Sequence, residues 1–387
     1  MRPRLASRPR PSPFEALASL GHLRVTGKKP FALKQSPRAL ALGFSLSLFL
    51  IAANTVAVAQ EPVSFRGKTI VVIVGSPAGG GTDASARLIA SLMANYLPGK
   101  PAVLVRNIPG AQGITAMNYF VKQVAPDGLT VMMASTTQAD PLLYRKPQAQ
   151  FDPTTFAFVG GIGRGGTVLL LRKDAEPRLH DKRAAPIVMG ALGGVPRSGM
   201  QMTAWGIEFL GWNAKWVLGY RGTSDLMIAL ERGEIDVTST ANLFQVQKFL
   251  DTGRFKILGQ SGALHGGQML PRPEFGGAPL FADLMRGKIS DPVAQKAFDY
   301  WSSMTALDKW FALPPKAPDA FVRAYRSAYK AAAADPEFAE LGKRISEDLD
   351  PMAYEDVELL ISRLGDTPPE AIAYLSAMLR KQGIEAE

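Results

Sequence analysis

The chain has 387 residues, 47% of them hydrophobic, which is enough to form one large hydrophobic core or two of medium size. It contains no cysteine, which excludes disulfide bonds, thiolate metal sites and thiol nucleophiles, and its three histidines have no partners at metal-ligand spacing. The formal net charge is +10, but residues 1–38 contain nine Lys or Arg against one Glu, which leaves +2 on the rest. The positive charge therefore belongs to the N-terminus, and no nucleic-acid partner is expected.

The first 59 residues are predicted to form an export leader. The basic stretch is followed by an uncharged apolar run at 39–53 and then by an Ala-Val-Ala triplet. This order is typical of a secretory signal peptide cleaved near position 59/60, and it predicts an exported protein. An uncleaved signal anchor is the alternative, although the apolar run is shorter than the ~20 residues that a spanning helix needs. Residues 1–24 are rich in Arg, Pro and Ser, and we expect translation to begin near Val25.

After the leader, strands and helices alternate. Residues 69–75 form a continuous β-branched run, which is typical of a strand buried on both faces. A glycine-rich loop follows, and from Asp83 apolar residues recur at helical spacing until Pro98 and Gly99. The alternation continues with a strand at 102–106, a helix to about residue 123 and a strand at 130–134. This β-α-β-α-β order with short connections predicts an open parallel sheet.

The middle of the chain repeats this alternation, and the tail is predicted to be rich in helices. Strands are predicted at 168–171, 187–189, 215–218, from 233–237 onward and at 257–258. Helices are predicted at 199–210, 225–231, after Pro318 and at 353–364.

The loop from Ser76 to Thr82, with the sequence SPAGGGT, is the sharpest candidate site. Its three glycines allow the backbone to approach a ligand closely, and the helix that follows offers free N–H donors and a partial positive charge. The loop therefore predicts an anion-binding site, in which Asp83 either caps the helix or accepts a hydrogen bond from the ligand. The alternative is an ordinary tight turn in which Thr82 or Asp83 caps the helix.

Two nucleotide-binding motifs fit this loop poorly. Gly75 and Gly80 have the spacing of a phosphate-binding P-loop, but Gly81 occupies the position of its lysine. Gly79, Gly81 and Ala84 match a loosened dinucleotide fingerprint, yet the next strand ends in Arg106-Asn107 and not in the acidic residue that binds the ribose. An NADP-type site that uses Arg106 stays open as an alternative.

Further candidates follow other predicted strands. Asn107 begins a second glycine loop on the same edge of the sheet, where ligands of open α/β sheets bind. In the middle region, Arg221 is placed to pair with a carboxylate, and Thr223 and Ser224 are suited to cap the next helix. The alternatives are a solvated arginine, ordinary caps and tight turns. The full set of candidate ligand-binding residues is Ala78, Gly79, Gly80, Gly81, Thr82, Asp83, Asn107, Ser135, Gly190 (in a predicted loop at 190–194), Tyr220, Arg221, Gly222, Thr223 and Ser224.

Several of these segments resemble, in the same order, the extracytoplasmic receptors of tripartite tricarboxylate transporters, known as the Bug family. The specific segments are 70–83, 105–113 and 125–130, and looser ones are 220–222, 230–236 and 335–338. The chain departs from the family pattern at Ile108, which replaces an arginine, at 217–222 and at 279–283. The chain is thus identified as a divergent member.

The resemblance implies an α/β fold like that of type II periplasmic binding proteins, with two lobes, a cleft between them and a mostly parallel sheet in each. It implies one lobe formed by residues 62–166 and 262–387 and another formed by 167–261. It also implies a monomer without cofactor or metal that is not an enzyme. Backbone amides of both helix-preceding loops would bind a small carboxylate, partly through water, and the closed receptor would engage membrane permease subunits. A cofactor-dependent α/β enzyme and a receptor for a periplasmic signalling partner are the alternatives.

Overall fold

The computed structural model describes residues 63–192, 198–343, 345 and 349–384. The predicted leader and its cleavage site lie outside the described residues, as do Gly193 and Gly194 of the predicted loop at 190–194. In the described part, no helix combines the length and the apolar content needed to cross a membrane.

The described residues form thirteen strands. They are β1 (Thr69–Val74), β2 (Ala102–Asn107), β3 (Thr130–Ser135), β4 (Ala157–Arg164), β5 (Val168–Arg172), β6 (Ile187–Leu192), β7 (Ala214–Tyr220), β8 (Val237–Thr240), β9 (Phe255–Gln260), β10 (Ala263–His265), β11 (Gln268–Leu270), β12 (Leu307–Leu313) and β13 (Leu349–Met352).

The same residues form thirteen α-helices and five short 3₁₀ helices. The α-helices are α1 (Gly81–Tyr96), α2 (Ile114–Gln123), α3 (Thr136–Ala139), α4 (Pro141–Tyr144), α5 (Gln201–Phe209), α6 (Thr223–Arg232), α7 (Leu243–Asp251), α8 (Phe281–Met285), α9 (Pro292–Ala306), α10 (Asp319–Ala333), α11 (Pro336–Gly342), α12 (Tyr354–Gly365) and α13 (Pro369–Lys381). The 3₁₀ helices are Ala111–Gly113, Pro153–Thr155, Lys173–Arg178, Ser198–Met200 and Pro273–Phe275.

The first sheet has six strands in the order β13-β4-β12-β3-β1-β2. The predicted parallel arrangement of β2, β1 and β3 is confirmed, and Val74 at the end of β1 is in register with Asn107 and Met133. The tail is rich in helices as expected, and it also adds two strands to this sheet. Residues 307–313 form the strand β12, which lies antiparallel between β3 and β4, and β13 adds an antiparallel edge. The sheet is thus mixed, with four of its six strands in one direction.

The second sheet has five strands in the order β7-β6-β8-β5-β9. Strands β7, β6 and β8 are parallel, whereas β5 is antiparallel to both of its neighbours. Four of the five strands therefore run in the same direction. Short continuous apolar runs such as Val168–Arg172 form the buried strands here, because both faces of the sheet are covered.

The chain passes between the two large sheets twice, from β4 to β5 and from β9, by way of the two-stranded sheet β10-β11, to β12. The two passages are hydrogen-bonded to each other, because Thr167 N–H donates to Ser261 Oγ at 2.9 Å and Ser261 N–H donates to Thr167 O at 2.9 Å. In the first sheet β4 runs in the direction of β1 and β3, so the passages lie at the carboxyl edge of these strands. In the second sheet Val168 is in register with Thr240, which places the carboxyl ends of β6, β7 and β8 at the passages too.

Each face of the first sheet has its own core. On one face α1, α10 and α11 bury the sheet around Phe65 and Tyr325. On the other face, α2, α9 and α12 cover the sheet, and this core continues through α13, which packs on α9, to α5 beside the second sheet. There Trp205 packs edge-to-face on Phe298, with ring centroids 5.2 Å apart. The lobe boundaries expected from the sequence stay a prediction.

Candidate functional site

The glycine-rich loop connects β1 to α1 and leaves the helix N-terminus open. Gly80 is the N-cap residue, with φ −76° and ψ 164°, and no side chain caps the helix, so the expected cap by Thr82 or Asp83 is wrong. The first hydrogen bond of the helix runs from Ala84 N–H to Gly80 O at 2.9 Å. The N–H groups of Gly81, Thr82 and Asp83 therefore have no acceptor within the helix. Residues 77–81 are exposed and Thr82 is half-buried, so the donors of Gly81 and Thr82 lie at the surface, whereas Asp83 is buried.

The carboxylate of Asp83 fixes the glycine-rich loop through hydrogen bonds. It accepts hydrogen bonds from Gly79 N–H at 2.9 Å, Arg87 Nε at 3.0 Å and Asn107 Nδ2 at 3.0 Å, and the residue is 3% exposed. The hydrogen bond from Arg87, helped by those from Gly79 and Asn107 and opposed by burial, lowers the pKa of Asp83 to about 2. The carboxylate therefore stays ionised at neutral pH, Arg87 balances its charge, and its oxygens are already occupied by the protein.

The side chain of Asn107 also fixes the glycine-rich loop. Asn107 ends β2 in register with Val74, and its Nδ2 donates to Ser76 O at 3.0 Å as well as to Asp83. Its Oδ1 accepts from Arg87 Nη2 at 3.3 Å. The sequence pointed to Asn107, but the structure uses its side chain to fix the loop. Arg87 was missed as a functional residue, although its i,i+4 spacing from Asp83 on a helix signals the pair.

Three loops pack against one another at this carboxyl edge of the first sheet. A Cβ on Gly75 would lie 3.1 Å from Gly113 Cα, and one on Gly113 would lie 2.5 Å from Gln138 Nε2. Gln138 in turn accepts hydrogen bonds from Ser135 N–H at 2.8 Å and from Ser135 Oγ at 2.9 Å, and donates to Gln112 O. Ser135 thus lies at the edge beside the glycine-rich loop. Gln138, which joins the loops, carried no signal in the sequence.

The second helix-preceding loop follows β7. Gly222 is the N-cap residue of α6 and no side chain caps the helix, so the expected caps Thr223 and Ser224 are wrong and are the first two helical residues. Their N–H groups have no acceptor within the helix, because its first hydrogen bond joins Leu226 N–H to Gly222 O at 3.2 Å. The side chain of Arg221 is 96% exposed and lies 3.9 Å from Asp225, and Tyr220 is half-buried against the second-sheet core.

Gly190 is not at the edge of the sheet. The loop predicted at 190–194 begins later, because β6 extends to Leu192 and Gly190 is buried within it. Its carbonyl accepts from Thr238 Oγ1 at 3.1 Å, and a Cβ there would lie 2.4 Å from Ile235 Cδ1. Gly190 therefore allows close packing in the core of the second sheet.

The described residues contain no group of three or more His, Cys, Asp or Glu that could hold a metal ion. Arg106, the candidate for an NADP phosphate, donates from Nη1 to Tyr119 Oη at 3.1 Å and lies over the Tyr119 ring, 5.0 Å from its centroid.

Comparisons with known proteins agree with this fold. Residues 85–266 match the family described as "Tripartite tricarboxylate transporter family receptor". A protein of the UPF0065 group from Bordetella pertussis is 28% identical over 325 residues, which are 81% of this chain and 87% of that protein. A TctC solute binding protein from Polaromonas, solved without ligand, shares the fold with a TM-score of 0.60 and 18% identity over 82% of this chain and 100% of that one. The chain is therefore similar to the Bug/TctC-like receptors of tripartite tricarboxylate transporters, in sequence over residues 85–266 and in fold over most of its length.

Proposed function

We propose that the chain is a periplasmic solute-binding protein that captures a small carboxylate-bearing organic anion and presents it to the permease subunits of a tripartite transporter. The observation that carries this proposal is the open N-terminus of α1. Three N–H groups, of Gly81, Thr82 and Asp83, lie there without helical acceptors on an exposed loop at the carboxyl edge of a sheet.

The electrostatics of this loop favour an anion. A helix N-terminus carries about half a positive elementary charge, which an acidic residue in the first turn would normally oppose. Here the acidic residue is Asp83, whose carboxylate is buried, paired with Arg87 and bonded to Gly79 and Asn107. The helix field is therefore left for the ligand, and a carboxylate has two oxygens that can accept from successive N–H groups.

The second loop supplies the other side of the site in this proposal. The carboxyl edges of both sheets adjoin the two chain passages, so the N-termini of α1 and α6 belong to edges that meet at the same place in the fold. A ligand between lobes 62–166 plus 262–387 and 167–261 would contact both. Closure of the lobes would replace its water by fixed backbone dipoles, which requires no chemical step. In this proposal the leader directs export to the periplasm and is cleaved there, and the mature receptor is a monomer without cofactor.

A thermal-shift screen of the chain from residue 60 onward tests this proposal. The panel contains mono-, di- and tricarboxylates, with NAD and NADP as controls for the enzyme alternative. A carboxylate at 100 times its Kd stabilises the folded state by about 2.7 kcal/mol, so we expect the melting temperature to rise by several degrees. A rise with a nucleotide and with none of the carboxylates would contradict the proposal.

A further inference from the structure

A mostly buried arginine joins the two chain passages between the sheets. Arg272 follows β11, and its side chain is 15% exposed. Its Nη1 donates a hydrogen bond to Gly165 O in the first passage, and its backbone N–H donates to Gln260 Oε1 at 2.7 Å at the start of the second. Arg272 thus contacts both places at which the chain leaves one sheet for the other.

The backbone of Arg272 is held by the second sheet. Gln260 is the last residue of β9 and is fully buried, and its N–H donates to Pro279 O at 2.9 Å. Three residues after Arg272, Phe275 is buried in the second-sheet core together with Val168 and Val246. The segment that contains Arg272 is therefore anchored to the second sheet.

The guanidinium of Arg272, by contrast, is bonded to the first sheet. Gly165 comes directly after β4 and is buried, so its carbonyl depends on a donor from the protein. Glu274 Oε1 lies 3.4 Å from Nη2, and the guanidinium lies over the Phe275 ring, 5.1 Å from its centroid. These contacts fix the side chain, which links the second sheet to the end of a strand of the first.

Two glycines lie side by side where the sheets are joined. Gly166 and Gly262 have φ values of +82° and +76°, in the left-handed region that favours glycine. A Cβ on Gly166 would lie 3.1 Å from Gly262 O and 3.4 Å from Arg272 Cδ. Because the strands on either side are fixed by sheet hydrogen bonds, a change in the angle between the sheets would be absorbed at these glycines. The hydrogen bond from Arg272 to Gly165 spans Gly166, so such a change would alter it.

Both helix N-termini of the proposed ligand site are open to solvent. Residues 77–81 and 223–225 are exposed, as is Arg221. A ligand held between the two loops would cover them, so the described arrangement is the open one. The hydrogen bond from Arg272 to Gly165 belongs to this open arrangement. Breaking it leaves a buried carbonyl without its donor, which opposes closure.

We propose that Arg272 is a positioning residue that holds the receptor open until a ligand binds. This inference rests on the proposed function, in which the two lobes close around a carboxylate. A receptor that binds its ligand in the closed form has an apparent affinity proportional to the closed fraction of the free protein. Loss of the arginine hydrogen bond raises that fraction, so it should strengthen the binding of every ligand by the same factor.

Distances between spin labels on the two sheets test the proposal. The chain has no cysteine, so labels attach only to the residues introduced by Gln123→Cys and Gln247→Cys. Both positions are exposed, and they lie on α2 and α7, which pack on the first and the second sheet. Pulsed electron paramagnetic resonance gives the distance distribution of the chain from residue 60 onward, without ligand and with succinate or citrate.

In this labelled protein, we expect Arg272→Met to move the ligand-free distance distribution towards the ligand-bound one. Calorimetric titration should show the affinities for succinate and citrate raised by the same factor, about three- to tenfold. Arg272→Lys keeps the charge and a donor for Gly165 O, and it should restore the original distribution and affinities. Arg183→Met removes an arginine whose side chain is 93% exposed, and it should change neither.

An unchanged ligand-free distribution in Arg272→Met, or a shift away from the ligand-bound one with weaker binding, would overturn the role of Arg272. A purely structural role would lower the melting temperature and leave the distribution in place. If Arg272→Met fails to fold, Arg272→Gln withdraws the donor from Gly165 O with a shorter polar side chain, and the same shift is expected. If no carboxylate alters the distribution of the unmodified protein while a nucleotide stabilises it, the proposed function itself fails. The two failures are distinguishable, because the second leaves the ligand-free shift of Arg272→Met in place.

Discussion

The two helix N-termini at the candidate site have the same design but differ in how the rest of the fold supports them. Each follows a strand end, has a glycine as its N-cap and lacks a side-chain cap. The loop before α1 is fixed by the buried carboxylate of Asp83 and by its packing against two neighbouring loops. The loop before α6 has an exposed Arg221 and Asp225, and a Cβ at Gly222 would meet nothing within 4 Å.

Because of this difference, the two helix N-termini are suited to different steps of ligand capture. A site whose donors are already held in place loses little entropy when the ligand binds, so the N-terminus of α1 is suited to form the first contact. The N-terminus of α6 has few neighbours, so it can adjust its position when the site closes around the ligand. Variants at corresponding positions of the two loops can break or sharpen this comparison.

The largest effect is expected from Gly80→Val. The φ of Gly80 is −76° and the nearest atom to its Cβ would be Pro77 O at 3.5 Å, so valine fits the fold but projects over the free N–H groups. We expect affinity for the best carboxylate of the screen to fall about 100-fold or more, with the stability of the ligand-free protein within ~1 kcal/mol. Gly222→Val is the matched change in the adaptable loop, and we expect a loss of only about tenfold. Affinity retained in Gly80→Val would show that the first loop is only a turn.

A smaller effect, on stability, is expected when the carboxylate of Asp83 that fixes the first loop is removed. Asp83→Ala leaves Gly79 N–H and the Asn107 amide without their acceptor, and we expect the free energy of unfolding to fall by about 1–3 kcal/mol. The half-exposed ion pair with Arg87 adds little to this cost. Urea denaturation at pH 7 measures the change. Asp225→Ala, at the same position of α6, should stay within ~0.5 kcal/mol of the unmodified protein. Equal losses in the free energy of unfolding for the two variants would show that Asp83 fixes its loop no more firmly than Asp225 does.

The smallest effect is expected from Arg221→Ala. The side chain is 96% exposed and its nearest acid is 3.9 Å away, so we expect no change in stability and at most about a threefold change in carboxylate affinity. Titration at low and moderate salt measures the affinity. A loss of more than tenfold would mean that Arg221 reaches the ligand when the site closes, as the carboxylate pairing predicted from the sequence requires.

Local patterns in the sequence predicted the parallel half of the first sheet. The apolar run at 69–75 and the helical spacing after Asp83 depend on residues near one another in the chain, and the corresponding elements are β1 and α1. The strand β12 was missed, because residues 307–313 form a strand only through pairing with β3 and β4, which lie far away in the chain.

The sequence predicted the edge of the sheet at which the glycine-rich loops lie, but not the hydrogen bonds that their residues make. The glycine loops of the first sheet follow strand ends, and strand ends can be found from sequence, so the edge where they lie was predictable. The hydrogen bond between Asp83 and Asn107 joins residues that are far apart in sequence. It fixes the loop with two side chains that were expected to contact the ligand. Gly190 was predicted to lie in a loop but lies in a buried strand. The cause is again a contact with a residue far away in the chain, since Ile235 packs against it.

The sequence by itself determined the two glycine-containing helix starts, the alternating strands and helices, and the resemblance to a receptor family. These features depend on hydrophobic period and on the backbone freedom of glycine, which act over a few residues. Only the tertiary structure decided which donors stay free and which side chains are bonded to the protein itself, as in the hydrogen bond from Asn107 to Asp83. Such relations arise from strand pairing and burial between distant segments, whose free energies depend on neighbours that the local pattern does not contain.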